Sequence, residues 1–165
     1  MKQNAQIDGY QRVLTEFNGQ GIQYCLLRNY EFLYDGSFPI EGLDILISKD
    51  DKSKIDALFT SLGFTRRKQQ FSLAHQAYFK LVDLKRVSFD IQVGGIYWND
   101  MRYLDEGVLK NRASKEYFYV LSENDAFIMY LAHSILGKRY FKQKYKNILS
   151  SLIVDKEYVL SNLAK

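Results

Sequence analysis

The chain has 165 residues, the size of one domain, and 47% of them are hydrophobic, which allows a sizeable core. Charged residues make up 25%, and this composition, without a long biased tract, excludes an intrinsically disordered chain. The formal net charge of +4 suits a phosphorylated ligand, although solubility alone also explains it.

The single cysteine excludes an intrachain disulfide framework. Cys25 lies in an apolar run, so we expect a buried structural thiol. The first residues are polar, and no run approaches the roughly 20 apolar residues of a membrane span. We therefore expect no membrane partner and a cytoplasmic location.

The first part of the chain predicts two strands between two helices. Apolar spacing indicates, in order, a helix over 3–18, a strand over 22–27, a polar loop over 28–40, a strand over 43–48 and a helix of about a dozen residues. Asp50 or Asp51 is expected to cap the second helix, and Gly63 to end it.

The middle of the chain changes to the period of strands. Successive strands are predicted over 64–71, 77–82 and 86–93. The pair Gly94-Gly95 breaks the third of them. A short helix is then expected over 101–110 and an edge strand over 115–120.

The last part of the chain reads as helical. Ser122 and Asp125 form a variant of the capping box at the start of a helix that Gly137 ends. A second helix is predicted over 141–153, and Asp155 caps a third. The chain has no repeat or linker, so we predict a single domain over 1–165, with a sheet-containing core over about 1–120 and a helical tail over 121–165. The pattern fits class α+β or α/β, and we favour α+β, with helices packed on a mixed sheet.

Two carboxylates interrupt strands that are otherwise apolar. Asp44 lies among Leu43, Ile45, Leu46 and Ile47, and Asp90 lies in the segment VSFDIQV. A lone buried charge is costly unless it is paired or holds a cation. We therefore predict that Asp44 and Asp90 converge on one site.

The order of helix, strand, polar loop, acidic strand, helix and later acidic strand resembles the DNA polymerase β-like nucleotidyltransferase superfamily. The segments LLRNYEFL and PIEGLDILIS are similar to a branch of uncharacterised, mostly prokaryotic nucleotidyltransferase-like proteins. In that branch an LRNYE segment precedes a strand of the pattern D-I-D-L-L-V. The similarity continues through QFSLAHQAYFK, FDIQVGGIYWNDM and AFIMYLAHSILGKRYFKQKY, over about residues 20–150.

The resemblance implies an activity and a metal site. The activity is Mg²⁺-dependent transfer of a nucleoside monophosphate from a nucleoside triphosphate to an acceptor. Asp44 and Asp90 match the second and third acidic positions, as catalytic residues and metal ligands. The first acidic position falls on Gly42, and the neighbouring Glu41 reaches the site only if the strand bulges there. The site is thus an incomplete version of the family's, able to hold a single ion weakly.

The remaining predicted contacts are with the nucleotide. Arg28 and Asn29 stand where the superfamily has a glycine-serine turn, and their side chains are expected to hold phosphate. Lys138 and Lys144 would clamp the triphosphate from the helical tail, and Trp98 could stack on a base. Five of the nine residues at 138–146 are basic and are interleaved with aromatics, which also indicates nucleic-acid contact. The alternative is that these cations simply suit the end of the preceding helix.

Two other functions stay open. One is a catalytically inactive module that binds nucleotide or nucleic acid on the same fold, which Gly42 favours. The other is a protein-interaction module whose basic tail meets an acidic partner. His75 and His133 are interpreted as structural histidines rather than site residues. No oligomeric state is predicted.

Overall fold

The computed structural model describes residues 5–68, 74–98 and 101–163. Within these residues the protein is α+β, with a seven-stranded mixed sheet, a separate two-stranded hairpin and five α-helices. The helices are α1 (Ala5–Gly19), α2 (Lys52–Ser61), α3 (Glu123–Ala132), α4 (Gln143–Ser151) and α5 (Lys156–Leu163). A π-helix, His133–Lys138, continues α3.

The strands are β1 (Tyr24–Arg28), β2 (Leu43–Ile47), β3 (Thr65–Arg66), β4 (His75–Val82), β5 (Lys85–Val93), β6 (Gly95–Trp98), β7 (Met101–Asp105), β8 (Ala113–Lys115) and β9 (Phe118–Val120). The large sheet has the order β3-β4-β5-β2-β1-β9-β8, and β6 pairs with β7 in the hairpin. β2 lies at the centre, antiparallel to β1 and parallel to β5.

Both faces of the large sheet are buried, and each face packs into a different hydrophobic core cluster. Along β2, Leu43, Ile45 and Ile47 pack into the cluster that α1 and α2 cover. Leu46 packs on the opposite face, beneath β6, β7 and the helices that follow β9. Because side chains alternate along a strand, Asp44 shares the face of Leu46. The two-residue period thus places the carboxylate beneath the β6–β7 hairpin.

Most of the predicted elements are confirmed. The structure has the first two helices and the strands β1, β2, β4 and β5 within a few residues of their predicted bounds. Ser122 caps α3, because its hydroxyl accepts the backbone N–H of Asp125. Asp155 caps α5 by accepting the N–H groups of Glu157 and Tyr158.

The helix predicted over 101–110 is wrong. Residues 101–105 form β7, and a short 3-10 helix follows at Glu106–Lys110. Trp98 pairs with Met101 and Tyr97 with Arg102, so β6 and β7 satisfy each other's backbone groups. The pairing is a tertiary constraint that overrides weak local preference.

Other predictions need correction at their boundaries. Asp51 stands at the start of α2, but its carboxylate accepts the N–H of Gln23 and pairs with Lys54 instead of capping the helix. The segment predicted as one edge strand over 115–120 contains a turn, so that β8 forms the edge and β9 lies inside it. The strand predicted over 64–71 is β3 at residues 65–66, and residues 69–71 lie outside the described chain. The first tail helix runs past Ala132 into the π-helix, where Gly137 lies before the last residue.

None of the helices in the described part of the chain has the length and apolar character needed to span a bilayer.

Candidate functional site

A pocket of about 410 Å³ opens on the Asp44 face of the sheet. Its floor comes from β1, β2, β4 and β5, which contribute Leu27, Asp44, His75 and Asp90 among others. The β6–β7 hairpin forms one wall with Tyr97, Trp98 and Tyr103, and the end of α3 forms another with Met129 and His133. The pocket therefore lies between the sheet and the elements that cover it.

The two strand carboxylates lie side by side in this pocket. Asp44 on β2 and Asp90 on β5 are directly paired in the parallel register, so both point to the same face. Burial raises the pKa of Asp90, and the nearby charge of Asp44 raises it further. The Nε2 atom of His75 lies 3.6 Å from the Oδ1 atom of Asp90 and partly offsets this effect. The predicted convergence of the two acids is thus found in the structure.

A β-bulge turns Arg28 toward Asp44. In the β1–β2 pairing Leu26 lies opposite Ile45 and Arg28 lies opposite Asp44, so that Leu27 is an extra residue. Without it, Arg28 would follow Tyr24 and Leu26 onto the other face of the sheet. The bulge is what brings a guanidinium to the floor of the pocket.

The Arg28 guanidinium holds both oxygens of Asp44. Its Nε donates to Oδ2 at 2.8 Å and its Nη2 to Oδ1 at 3.3 Å. Burial opposes the charge of Arg28, but the Asp44 carboxylate more than offsets it and raises the pKa of Arg28. The charge that the sequence leaves unexplained on β2 is therefore paired within the chain.

His133 completes this arrangement from the opposite wall. Its Nε2 lies 2.5 Å from Nη1 of Arg28. Burial and the charge of Arg28 lower the pKa of His133 to about 4. A neutral imidazole whose Nε2 accepts a hydrogen bond from Nη1 of Arg28 fits this contact. The interaction joins β1 to the helical tail across the pocket.

Asn29 links the acid pair to the basic tail. Its backbone is left-handed, with φ of 59°, a conformation that asparagine tolerates better than most residues. Its amide nitrogen donates to Asp44 Oδ2 at 3.4 Å, and Nζ of Lys144 donates to its amide oxygen at 3.3 Å. Lys144 therefore reaches the site through Asn29.

The side chains present do not fit a two-ion metal site. Both oxygens of Asp44 are held by Arg28, and Glu41 is exposed and does not line the pocket. A Cβ atom at Gly42 would lie 2.7 Å from Oγ of Ser88, so a side chain there requires Ser88 to move. Residues 5–68, 74–98 and 101–163 contain no cluster of three or more His, Cys, Asp or Glu side chains suited to a metal. A single ion between Asp44 and Asp90 fits only if Arg28 leaves Asp44.

The structure brings together most of the predicted site residues. Arg28, Asp44, Asp90 and Trp98 line the pocket, and Asn29 and Lys144 are connected to it by hydrogen bonds. Lys138 is exposed and follows the pocket residue Gly137.

Sequence reasoning gave no site role to several pocket residues, among them His75, His133 and Tyr103. His133 lies 105 residues from Arg28 along the chain, and no local pattern distinguishes it from an ordinary helix histidine. Tyr103 lies in the segment wrongly predicted as a helix. The sequence marked the histidines only as titratable side chains, and their place in the pocket depends on tertiary packing.

A second cavity of about 640 Å³ lies between β7, α3 and α5. Its lining is largely apolar and includes Leu104, Ile128 and Leu131. None of the predicted site residues lines this cavity, so the candidate site is the smaller pocket.

Comparisons of the chain with family models, with curated proteins and with solved structures each found no match. The functional argument therefore depends on the geometry of the pocket.

Proposed function

We propose that the protein binds a nucleotide, or another small phosphorylated ligand, in the pocket beneath the β6–β7 hairpin, without requiring a metal ion. The proposal depends above all on the pair between Arg28 and Asp44. A guanidinium held on Asp44 supplies, at the pocket floor, the fixed positive charge that a metal ion supplies in metal-dependent sites.

Arg28 keeps hydrogen-bonding capacity for a ligand. A guanidinium has five N–H donors, of which two serve Asp44 and one serves His133, which leaves two. Arginine binds phosphate oxygens through paired donors of this kind. The ligand would therefore approach a group that is already oriented by two side chains.

The rest of the pocket agrees with a nucleotide. Lys144 is connected to the pocket by its hydrogen bond to Asn29. Burial and Arg28 lower the pKa of His133 most, and the charges of Lys138 and Lys142 lower it further, so both lysines lie near the pocket. Trp98 and Tyr97 offer aromatic surface to a base. The volume, about 410 Å³, falls in the range of small-ligand sites.

The proposal treats the chain as a catalytically reduced relative of the nucleotidyltransferase-like proteins it resembles. Asp44 and Asp90 keep two acidic positions, and Gly42 removes the first. Resemblance in fold does not transfer activity by itself. On this proposal Asp44 orients Arg28 instead of holding an ion.

A second candidate is Mg²⁺-dependent nucleotidyl transfer. The observation that favours it is the pairing of Asp44 with Asp90 on one face of adjacent strands. Asp44 and Asp90 would hold a single ion, with Glu41 assisting, and Arg28 would have to leave Asp44. The ion would supply charge neutralisation at the phosphates.

The test is calorimetric titration of ATP, GTP, CTP and UTP, each with and without Mg²⁺. We expect at least one to bind without magnesium. We expect Asp44→Asn to keep that binding, because the asparagine amide oxygen still accepts from Arg28 and the opposing carboxylate charge is gone. The double variant Arg28→Gln, Asp44→Asn leaves no unpaired charge and should lose about tenfold or more in affinity. Circular dichroism of this double variant confirms that it is folded.

Two results would contradict the proposal. Binding that requires magnesium and is lost in Asp44→Asn would support the transferase instead. Absence of binding to all four nucleotides would exclude both candidates and favour the protein-interaction module.

A further inference from the structure

Residues 138–146 form a basic segment that runs from the last residue of the π-helix into α4 and follows the pocket residue Gly137. Five of these nine residues are Lys or Arg, and no acidic residue occurs from 126 to 154. All five cations are exposed. None of them forms an ion pair with a carboxylate within the described residues.

Aromatic side chains are exposed within the same segment. Tyr140 is 57% exposed and Phe141 is 37% exposed. Tyr145, in contrast, is buried, with its ring 5.5 Å from that of Tyr130 and 5.6 Å from that of His133. Tyr145 therefore packs the segment against α3 and His133, whereas Tyr140 and Phe141 remain available to contact a ligand.

The basic segment leads directly into the pocket. Gly137, the residue before it, lines the pocket, and Lys144 donates to Asn29. The charges of Lys138 and Lys142 act on His133 in the pocket wall. A chain-like ligand lying along the segment would therefore have one end at the pocket.

We propose that residues 138–146 bind single-stranded nucleic acid and direct its end toward the pocket. Cations that are not paired within the protein bind the phosphate backbone, and exposed aromatic rings stack on unpaired bases. A duplex would hide its bases from Tyr140 and Phe141, so a single strand is favoured. The approach of the strand to the pocket rests on the proposed function, whereas binding to the segment does not.

The experiment is fluorescence anisotropy of the whole chain with labelled 12-nucleotide U and dT oligonucleotides, over a range of salt concentrations. If all five cations contact phosphates, the slope of log affinity against log salt should be about −3.5. A duplex of the same length should bind more weakly.

The main variant removes three cations that do not line the pocket: Arg139→Asn, Lys142→Gln and Lys146→Gln. Asparagine suits position 139 because its φ is 58°. We expect the salt slope to become about 2 smaller in magnitude. The control, Lys52→Gln, Lys85→Gln and Lys115→Gln, removes the same charge from exposed positions on α2, β5 and β8 and should leave the slope unchanged.

A second variant, Tyr140→Ala with Phe141→Ala, should weaken oligonucleotide binding by about tenfold or more at an unchanged slope. Equal weakening by the main variant and its lysine control would overturn the proposal. So would binding to vesicles of phosphatidylcholine and phosphatidylserine without binding to oligonucleotides. Oligonucleotide binding that depends on the segment, in a protein that binds no mononucleotide, would keep this proposal and exclude the proposed function.

Discussion

At the scale of single residues, the site depends on three side chains that hold one another. Asp44 and Arg28 are 18% and 22% exposed at the side chain, so each would be a poorly solvated charge without the other. His133 Nε2 accepts a hydrogen bond from Nη1 of Arg28 on the opposite side. The geometry requires that this imidazole be neutral.

We therefore expect His133 to titrate at a pKa of about 4, because burial and Arg28 both disfavour its charged form. Its pKa in the unfolded chain is about 6.5, so between these values the unfolded state binds more protons. The stability contributed by neutral His133 is complete above pH 6.5 and falls as the pH drops toward 4. Proton NMR of the two histidines measures the titration directly.

The variant His133→Gln is the control for that titration. Only the resonance of His75 remains in this variant, which identifies the resonance of His133 in the natural protein. In urea unfolding, the free energy of unfolding of the variant should depend less on pH between 6.5 and 4. A pKa of His133 at or above 6.5 would contradict the neutral contact with Arg28.

At the scale of elements, two backbone features shape the pocket floor. The bulge at Leu27 turns Arg28 inward, and Gly42, just before β2, approaches Ser88 so closely that a side chain there requires Ser88 to move. Packing against β5 thus constrains which residues position 42 accepts.

Adding a Cβ atom at Gly42 tests this steric argument. In Gly42→Ala the new atom would lie 2.7 Å from Oγ and 3.3 Å from the backbone oxygen of Ser88. We expect a loss of about 1–2 kcal/mol in the free energy of unfolding, measured in urea. In the double variant with Ser88→Ala most of this loss should disappear, and Ser88→Ala alone is the control for the cycle. A Gly42→Ala protein as stable as the natural one would show that the position is open.

A substitution in the turn of the β4–β5 hairpin should stabilise the protein. Its two-residue turn, Asp83 and Leu84, has φ of 48° and 61°, and Leu84 is 95% exposed. Leucine is strained in the left-handed region, and glycine is not. Leu84→Gly should therefore raise the free energy of unfolding by about 1 kcal/mol, because Asp-Gly suits this turn.

The matched control is Leu81→Gly in the same hairpin. Leu81 is exposed, lies in β4 and does not have a positive φ, so glycine there should cost about 0.5–1 kcal/mol. Equal effects of the two substitutions in thermal or urea unfolding would contradict the strain at Leu84.

At the scale of the whole molecule, the helical tail is part of the sheet's second core. Cys25, Leu27 and Leu46 pack beneath Ile128 and Met129 of α3. Buried Asp125 accepts from Ser122 and, at 2.7 Å, from the hydroxyl of Tyr158, which ties α5 to α3. The tail also supplies one wall of the pocket.

A chain that ends at Val120 should therefore fail to fold. It would expose side chains that are at most 5% accessible, Cys25, Leu27, Leu46 and Ile96 among them. Exposing each such side chain removes about 1.5–3 kcal/mol of favourable burial free energy. The sum is comparable with the whole free energy of unfolding of a domain. Size-exclusion chromatography and dye binding should find aggregates or a loose state. A monomer with a cooperative urea transition would contradict this and make residues 121–165 a separate unit.

Local signals in the sequence accounted for much of this fold. Periodicity located β1, β2, β4 and β5, and cap chemistry located the starts of α3 and α5. The segment 101–105 was misassigned because its conformation depends on pairing with β6, which no local preference encodes. The edge and interior positions of β8 and β9 likewise depend on strand pairing.

The sequence by itself determined that two carboxylates would interrupt apolar strands, because the apolar pattern of a strand is local. That the two acids share a face depends on the parallel pairing of β2 with β5. Only the tertiary structure decided what balances the charge of Asp44. A one-residue bulge in β1 brings Arg28 onto it, and a helix 105 residues away brings His133 to Arg28. Both are consequences of packing between distant segments, so they depend on the folded chain as a whole.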